Sequence, residues 1–366
     1  MTVNQAFQYE LDPNNRQRTG IVRHAGAARF AFNWGLGLCK LCLDLGRKVP
    51  GSFELHRLWN IWKRTEVPWW AAVSKCAPQE ALRDLAKAFG NFFSGKAGFP
   101  RFRKKFEDDR FRLTGAIKVL PRHVILPRLG KIRVKEDTGK FRGRILSATV
   151  SREADRWFVS LAVEVERADP VPVQGGPVGV DLGLKCFAVL SDGTKFEAPK
   201  PLKRLLRKLQ KLSKAHSRKK KGSANRRKPA LALARLHRKI ANIRRDFLHK
   251  LSTELAKTKP VIVAESLRVK DLLKAGHGPE WDRRINRAVM DSGFGMFRTM
   301  LGYKTEWYGS LLILAPENFP STRTCSGCGT AGPELPVSRR IFRCGTCGLE
   351  MDRDLNAAKN LVKLAG

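Results

Sequence analysis

Residues 177–183 read PVGVDLG, an apolar run that ends on a carboxylate, Asp181, bracketed by Gly179 and Gly183. Aspartate is a poor strand residue, and the glycines leave room beside it for a turn or for a bulky ligand. The pattern recurs at residues 260–264, PVIVA, followed by Glu265. A charge at the end of a buried central strand is costly unless something meets it. A third carboxylate, Asp354, opens a helical stretch, DLNAAKNLVKL at 354–364, where helix capping is the alternative role; Asp352 lies two residues earlier as the fallback. If both strands point the same way in an α/β sheet, Asp181 and Glu265 fall outside their carboxyl ends, where such sheets bind ligands. Clustered carboxylates raise one another's pKa unless divalent cations neutralise them, and an all-oxygen set suits magnesium or manganese. Two such ions would activate water at a scissile phosphate, so the implied reaction is phosphodiester hydrolysis. Asp181, Glu265 and Asp354 are the expected catalytic and metal-holding residues.

Cys325, Cys328, Cys344 and Cys347 are spaced C-x2-C-x15-C-x2-C, with glycines at 327, 329, 345 and 348. That spacing predicts two knuckle turns aiming four thiolates at one structural zinc ion, closed to substrate. Cys39 and Cys42 also read C-x-x-C but lie in an apolar helical stretch without a second pair, so they are expected in a core.

The charge balance points to a polyanionic partner. Lys and Arg number 71 against 33 Asp and Glu, a net +38 over 366 residues. Cations spread over many segments supply salt-dependent affinity for phosphate backbones without reading sequence. No apolar run reaches the ~20 residues of a membrane span, and the first residues lack the features of a signal peptide; a cytoplasmic protein is expected.

Along the chain, FQYELDP (7–13) predicts a strand and turn, and residues 21–45 and 78–92 carry apolar positions at helical spacing. Trp59, Trp62, Trp69 and Trp70 lie between them and are expected mainly in a core. Residues 110–166 alternate in short runs, which predicts a β-barrel that the first strand joins. The domains expected are a barrel of residues 1–19 and 106–170, a helical insertion at 20–105, and a third domain at 171–366. Two basic helices are predicted within 201–250, which hold 19 Lys or Arg and one acidic residue, joined by a loop over 217–228. Phosphate contacts are expected from Arg218, Lys219, Lys220, Lys221, Arg226, Arg227, Arg238, Arg244 and Arg245, and from Arg101, Arg103 and Lys104.

With those residues in view, the chain resembles the TnpB family, RNA-guided nucleases of insertion sequences and relatives of type V CRISPR effectors. The resemblance runs nearly the whole length: RFAFNWGL (29–36), EALRDLAKAFGNFF (80–93), GFPRFRKK (98–105), GVDLG (179–183), LARLHRKIANIRRDFLHKLS (233–252), the cysteine quartet and DRDLNAAKNL (352–361). It implies an α/β and α+β multidomain chain with an RNase H-like RuvC nuclease domain and a zinc ribbon at 321–350, and with Asp181, Glu265 and Asp354 as its triad. It also implies a β-barrel wedge domain and a helical recognition domain, a guide RNA, and a double-stranded DNA target beside a short motif; the sequence does not give the oligomeric state, for which a monomer with its RNA is the expectation. A miniature CRISPR-associated effector and a binding-only regulator are the other readings the residues allow.

Overall fold

The alternating first segment forms strand β1 (Thr2–Asp12), which pairs antiparallel with β7 (Arg156–Glu166) from Thr2↔Glu166 to Leu11↔Trp157. The computed structural model describes residues 1–267, 269–273, 279–333 and 339–366, and it divides into two units, residues 1–168 and 169–366. In the first unit β1 is followed by helices α1 (Asn15–Asp44), α2 (Ser52–Glu66) and α3 (Cys76–Phe93). Strands β2 (Arg110–Leu113), β3 (Lys118–Leu120), β4 (His123–Leu126), β5 (Gly130–Val134) and β6 (Arg144–Glu153) complete a sheet of order β2-β6-β7-β1-β5-β4-β3.

A barrel was expected here, and the hydrogen bonding is that of an open sheet: β2 and β3 are its edges and do not pair. Closure needs two partners for every strand, and edge strands of four and three residues offer few groups to make them.

α1 begins with a capping box, Asn14 and Gln17 exchanging bonds of 2.9 and 3.1 Å. Its buried stripe of Ile21, Ala25, Ala28, Phe32, Leu36 and Cys39 follows the helical period. Gly35 has no side chain because α3 crosses there; a Cβ would lie 2.9 Å from both Leu82 and Leu85. Helices and sheet share one continuous core. Trp59 is buried in it beside Trp34 and Trp62, with ring centroids 5.4 and 5.8 Å away, and Trp69 is half exposed against Phe30.

One buried histidine is expected to make this core acid-sensitive. His24 accepts the Ser74 amide at Nε2 (2.9 Å), while Nδ1 lies 2.8 Å from the Gly20 carbonyl, a pairing that requires the neutral ring. Burial, opposed by the Gly20 bond, holds its pKa below the usual histidine value. A depressed folded pKa contributes stability above the unfolded value of about 6.5, and that stability is lost as pH falls through the folded pKa. Thermal melts are therefore expected to weaken more steeply below about pH 6.5 for the wild type than for His24→Gln; parallel curves would remove His24 as the cause.

The second unit starts with an antiparallel meander, β8 (Val178–Leu182), β9 (Ala188–Leu190) and β10 (Lys195–Phe196). Helices α4 (Pro201–Ser217) and α5 (Ala224–Thr258) form the basic hairpin. Strand β11 (Val261–Ala264), helices α6 (Val269–Leu272), α7 (Pro279–Ser292) and α8 (Phe294–Tyr308), and strand β12 (Leu311–Leu314) follow. The short pair β13 (Ile341–Arg343) and β14 (Glu350–Asp352) leads into α9 (Arg353–Val362). The main sheet runs β10-β9-β8-β11-β12, with β8, β11 and β12 parallel. Alternation in β11 sends Ile262 and Ala264 to a core with α5 and α8, and Val263 to the opposite face with Leu361 of α9. The hairpin loop is shorter than expected, residues 218–223, because the Ser223 hydroxyl caps α5 at the Arg226 amide (3.2 Å). Among the described residues no helix is long and apolar enough to cross a membrane.

Candidate active site and metal centre

The parallel register fixes where the first two carboxylates stand. Ala264 of β11 pairs with Val180 of β8, so the residues that come next, Glu265 just past β11 and Asp181 near the end of β8, fall at the same carboxyl-terminal edge. Asp354 arrives on α9, which lies against β8 so closely that a Cβ on Gly179 would overlap the Ala358 carbonyl oxygen. Gly179 is thus a packing glycine: it lets the helix backbone reach the strand and brings the helix start to the strand end.

Of the two candidates for the third acid, Asp352 is the one committed to capping. Its carboxylate accepts the amides of Asp354 (2.9 Å) and Leu355 (3.2 Å) and an ammonium bond from Lys195 (2.9 Å). Burial pulls its pKa up, but Lys195 and those amides outweigh it and the net shift is downward. Asp354 makes no cap. It draws on Arg353 at 3.4 Å and Arg340 at 3.7 Å.

The electrostatics of the other two acids run the opposite way. Asp181 is only 7% exposed, and burial first, then Glu265 and Asp354, push its carboxyl well above the usual range, with Arg353 opposing. Burial also raises Glu265, the Ser321 hydroxyl bond opposes, and Asp354 adds to the rise. Burial and neighbouring acids thus raise Asp181 and Glu265 together, which fits a site that would take a divalent cation. The oxygens of the three acids do not close to the spacing of a tight cluster. Among the described residues only Cys325, Cys328, Cys344 and Cys347 have ligand atoms all within 4.8 Å of one another. Asp354 is drawn instead toward Arg340 and Arg353.

The quartet is assembled by two turns. Gly329 donates to the Cys325 carbonyl (3.0 Å) and Gly348 to that of Cys344 (3.1 Å), with positive φ at both glycines, 77° and 73°. Cys325 and Cys347 sulfurs lie 3.6 Å apart, as do those of Cys328 and Cys344. Gly327 and Gly345, also expected to serve the turns, do not take a positive φ. Cys39 is wholly buried in the first unit's core, in line with its apolar helix.

Sequence reasoning missed the polar ties around the site. Ser321, 2% exposed, donates to Glu265 Oε1 at 2.8 Å. Asn360 donates to the carbonyls of Ser321 and Thr324, and Asn356 bonds Thr324 and the Ser326 amide. Two expected phosphate contacts are engaged by the fold instead. Arg103 is buried, paired with Asp84 at 3.2 Å and stacked 3.8 Å from the Phe32 ring centroid. Arg244 is bonded to Asp291, whose carboxylate also accepts the Leu202 and Lys203 amides at the start of α4. Arg101, Lys104, Arg218, Lys219, Lys220, Lys221 and Arg227 are exposed. Arg226, Arg238 and Arg245 are half-buried.

Three family descriptions match the chain: "Probable transposase" over residues 160–276, "Cas12f1-like, TNB domain" over 294–361, and "Helix-turn-helix domain" over 1–42. The last stretch holds one strand and part of one uninterrupted helix here, with no second helix. The curated "Putative RNA-guided DNA endonuclease InsQ" of Escherichia coli is 35% identical over 98% of this chain and 91% of its own length. A "Putative RNA-guided DNA endonuclease" of Streptomyces pristinaespiralis is 35% identical over 98% and 89%. Among solved structures, a mini-RNA-guided endonuclease, CRISPR-Cas_phi3, superposes over 99% of this chain and 92% of its own at a TM-score of 0.47 and 10% identity.

Proposed function

Since this chain belongs to the TnpB family, we propose that it is an RNA-guided endonuclease that cuts double-stranded DNA beside a short motif by metal-dependent phosphodiester hydrolysis. The observation that supports the chemistry is that Asp181 and Glu265 leave neighbouring parallel strands at the same edge, with Asp354 contributing to the raised pKa of both. Residues 171–366 are the nuclease domain in this reading. Its sheet order, with three antiparallel strands followed by two parallel ones, supports an RNase H-like RuvC assignment. Residues 1–19 with 106–170, and 20–105, serve as the wedge and recognition parts.

Asp181, Glu265 and Asp354 would hold two magnesium or manganese ions, and the raised carboxyl pKa values fit a site built for added positive charge. When bound, such ions supply an activated water and stabilise the leaving oxygen. The chain's own share is geometric: β8 and β11 fix two carboxylates, and Gly179 sets the approach of α9 with the third. The quartet would hold one structural zinc. Exposed cations of the α4–α5 turn and of residues 101–104 supply backbone affinity for the guide RNA and the DNA, while base pairing supplies specificity.

The test is direct. RNA that co-purifies with the protein is sequenced, and plasmids carrying the matching target behind randomised flanks are offered with magnesium. Cutting confined to one flanking motif, and stopped by chelation, is expected. Intact plasmid with a matched guide and a zinc-loaded protein would overturn the assignment.

A further inference from the structure

We infer that Ser321 is a positioning residue for the metal site, orienting Glu265 and tying it to both the cysteine ribbon and the helix of Asp354. This deepens the three-carboxylate reading and rests on it. The hydroxyl of Ser321 donates to Glu265 Oε1 at 2.8 Å across 56 residues of sequence, from a side chain that water barely reaches. One carboxylate oxygen is thereby fixed, which sets the rotamer and leaves the second oxygen for a cation.

Ser321 is itself held from behind. Its carbonyl accepts from Asn360 Nδ2 at 2.8 Å, and Asn360 is 2% exposed on the face of α9. Thr324, one residue before Cys325, accepts from both Asn356 and Asn360 at 2.8 and 2.6 Å. Asn356 also accepts the Ser326 amide at 2.9 Å, so the first knuckle is stitched to α9 on both sides of Cys325. Two buried asparagines, spaced four residues apart on one helix face, serve backbone groups of the segment leading into the ribbon. Buried amides are costly unless satisfied; Asn356 and the Asn360 Nδ2 meet that need through these bonds and hold the segment in place, while Asn360 Oδ1 is buried with no partner among the described residues.

Glu265 follows a four-residue strand, and among the described residues Ser321 is its side-chain hydrogen-bond partner. Ser321 therefore links the acid just past β11 to the block that carries Asp354, two of the three expected metal holders. Partners of this kind, bonded to a ligand rather than to the ion, change metal affinity by roughly 10- to 100-fold when removed.

The experiment measures ion binding at the site without relying on DNA cutting. Full-length protein with its RNA is treated with ascorbate and with ferrous iron held well below the concentration that half-saturates the site, so that iron seated among the carboxylates cuts the polypeptide beside them, and manganese is titrated in as competitor. Ser321→Ala is expected to need at least about tenfold more manganese for half-protection. Ser321→Thr, which keeps the hydroxyl, is expected to stay with the wild type, and both variants to keep one zinc per chain. Wild-type protection in Ser321→Ala would overturn the inference, as would loss of zinc in that variant, which would make its role structural. Absence of any wild-type cut near residues 181, 265 and 354 would instead sink the three-carboxylate reading beneath it.

Discussion

Asp181→Asn is expected to lower DNA cutting to below about one-thousandth of the wild-type rate while raising the melting temperature of the metal-free protein. The two effects share a cause. Asp181 is buried, and burial together with Glu265 and Asp354 raises its carboxyl pKa. A raised folded pKa contributes stability that is fully present below the unfolded value of about 3.9 and is lost as pH rises through the folded pKa. Without divalent ions at neutral pH the wild type therefore carries a deficit that an amide of the same shape does not. Magnesium should raise the wild-type melting temperature more than that of Asp181→Asn, because only the wild type presents all three charges. Guide RNA binding should be unchanged, since the charge serves metal and not the fold of the RNA-binding surfaces. Fluorimetric melts with and without chelator, beside a plasmid-cutting assay, read all of this. A variant that melts lower without metal, or that loses its RNA, would show that Asp181 is structural.

The strand-end positions of Asp181 and Glu265 were legible in the sequence because each breaks an apolar run at its end, where a charge is costly unless something meets it. Choosing between Asp352 and Asp354 was not possible from spacing, since both fall in the same turn. What separates them is which carboxylate accepts the Asp354 and Leu355 amides, a fact of three-dimensional geometry. Arg101 and Arg103 show the same limit within one basic motif: the first is exposed, and the second turns inward onto Phe32 and Asp84. Alternation announced the strands of the first unit but not whether their edges would meet, because closure depends on shear and on edge length. Ser321 left no trace at all, since a polar contact bridging 56 residues has no period to detect.

Cys344→Ser is expected to strip the chain of zinc and to unfold the ribbon together with the start of α9. Structural zinc contributes about 10–16 kcal/mol of binding free energy in small peptides at neutral pH, and it is available only to a folded set of four thiolates. β13 and β14 pair over three residues each, and one buried side chain, Phe342, anchors β13. The loss should travel because Asn356 and Asn360 join the first knuckle to α9, and Lys363 also bonds the Ser326 carbonyl at 2.8 Å. Amide exchange should accelerate in residues 321–333, 339–352 and the first turn of α9, while β1 and β7 of the first unit keep their protection. Cleavage should fall with it, because α9 carries Asp354. Cys42→Ser is the control: its C-x-x-C lies in α1, whose Cys39 packs in a core, so zinc content should stay at one per chain. Full zinc in Cys344→Ser, or exchange confined to the ribbon, would separate the quartet from the carboxylate site and leave the asparagine ties as packing alone.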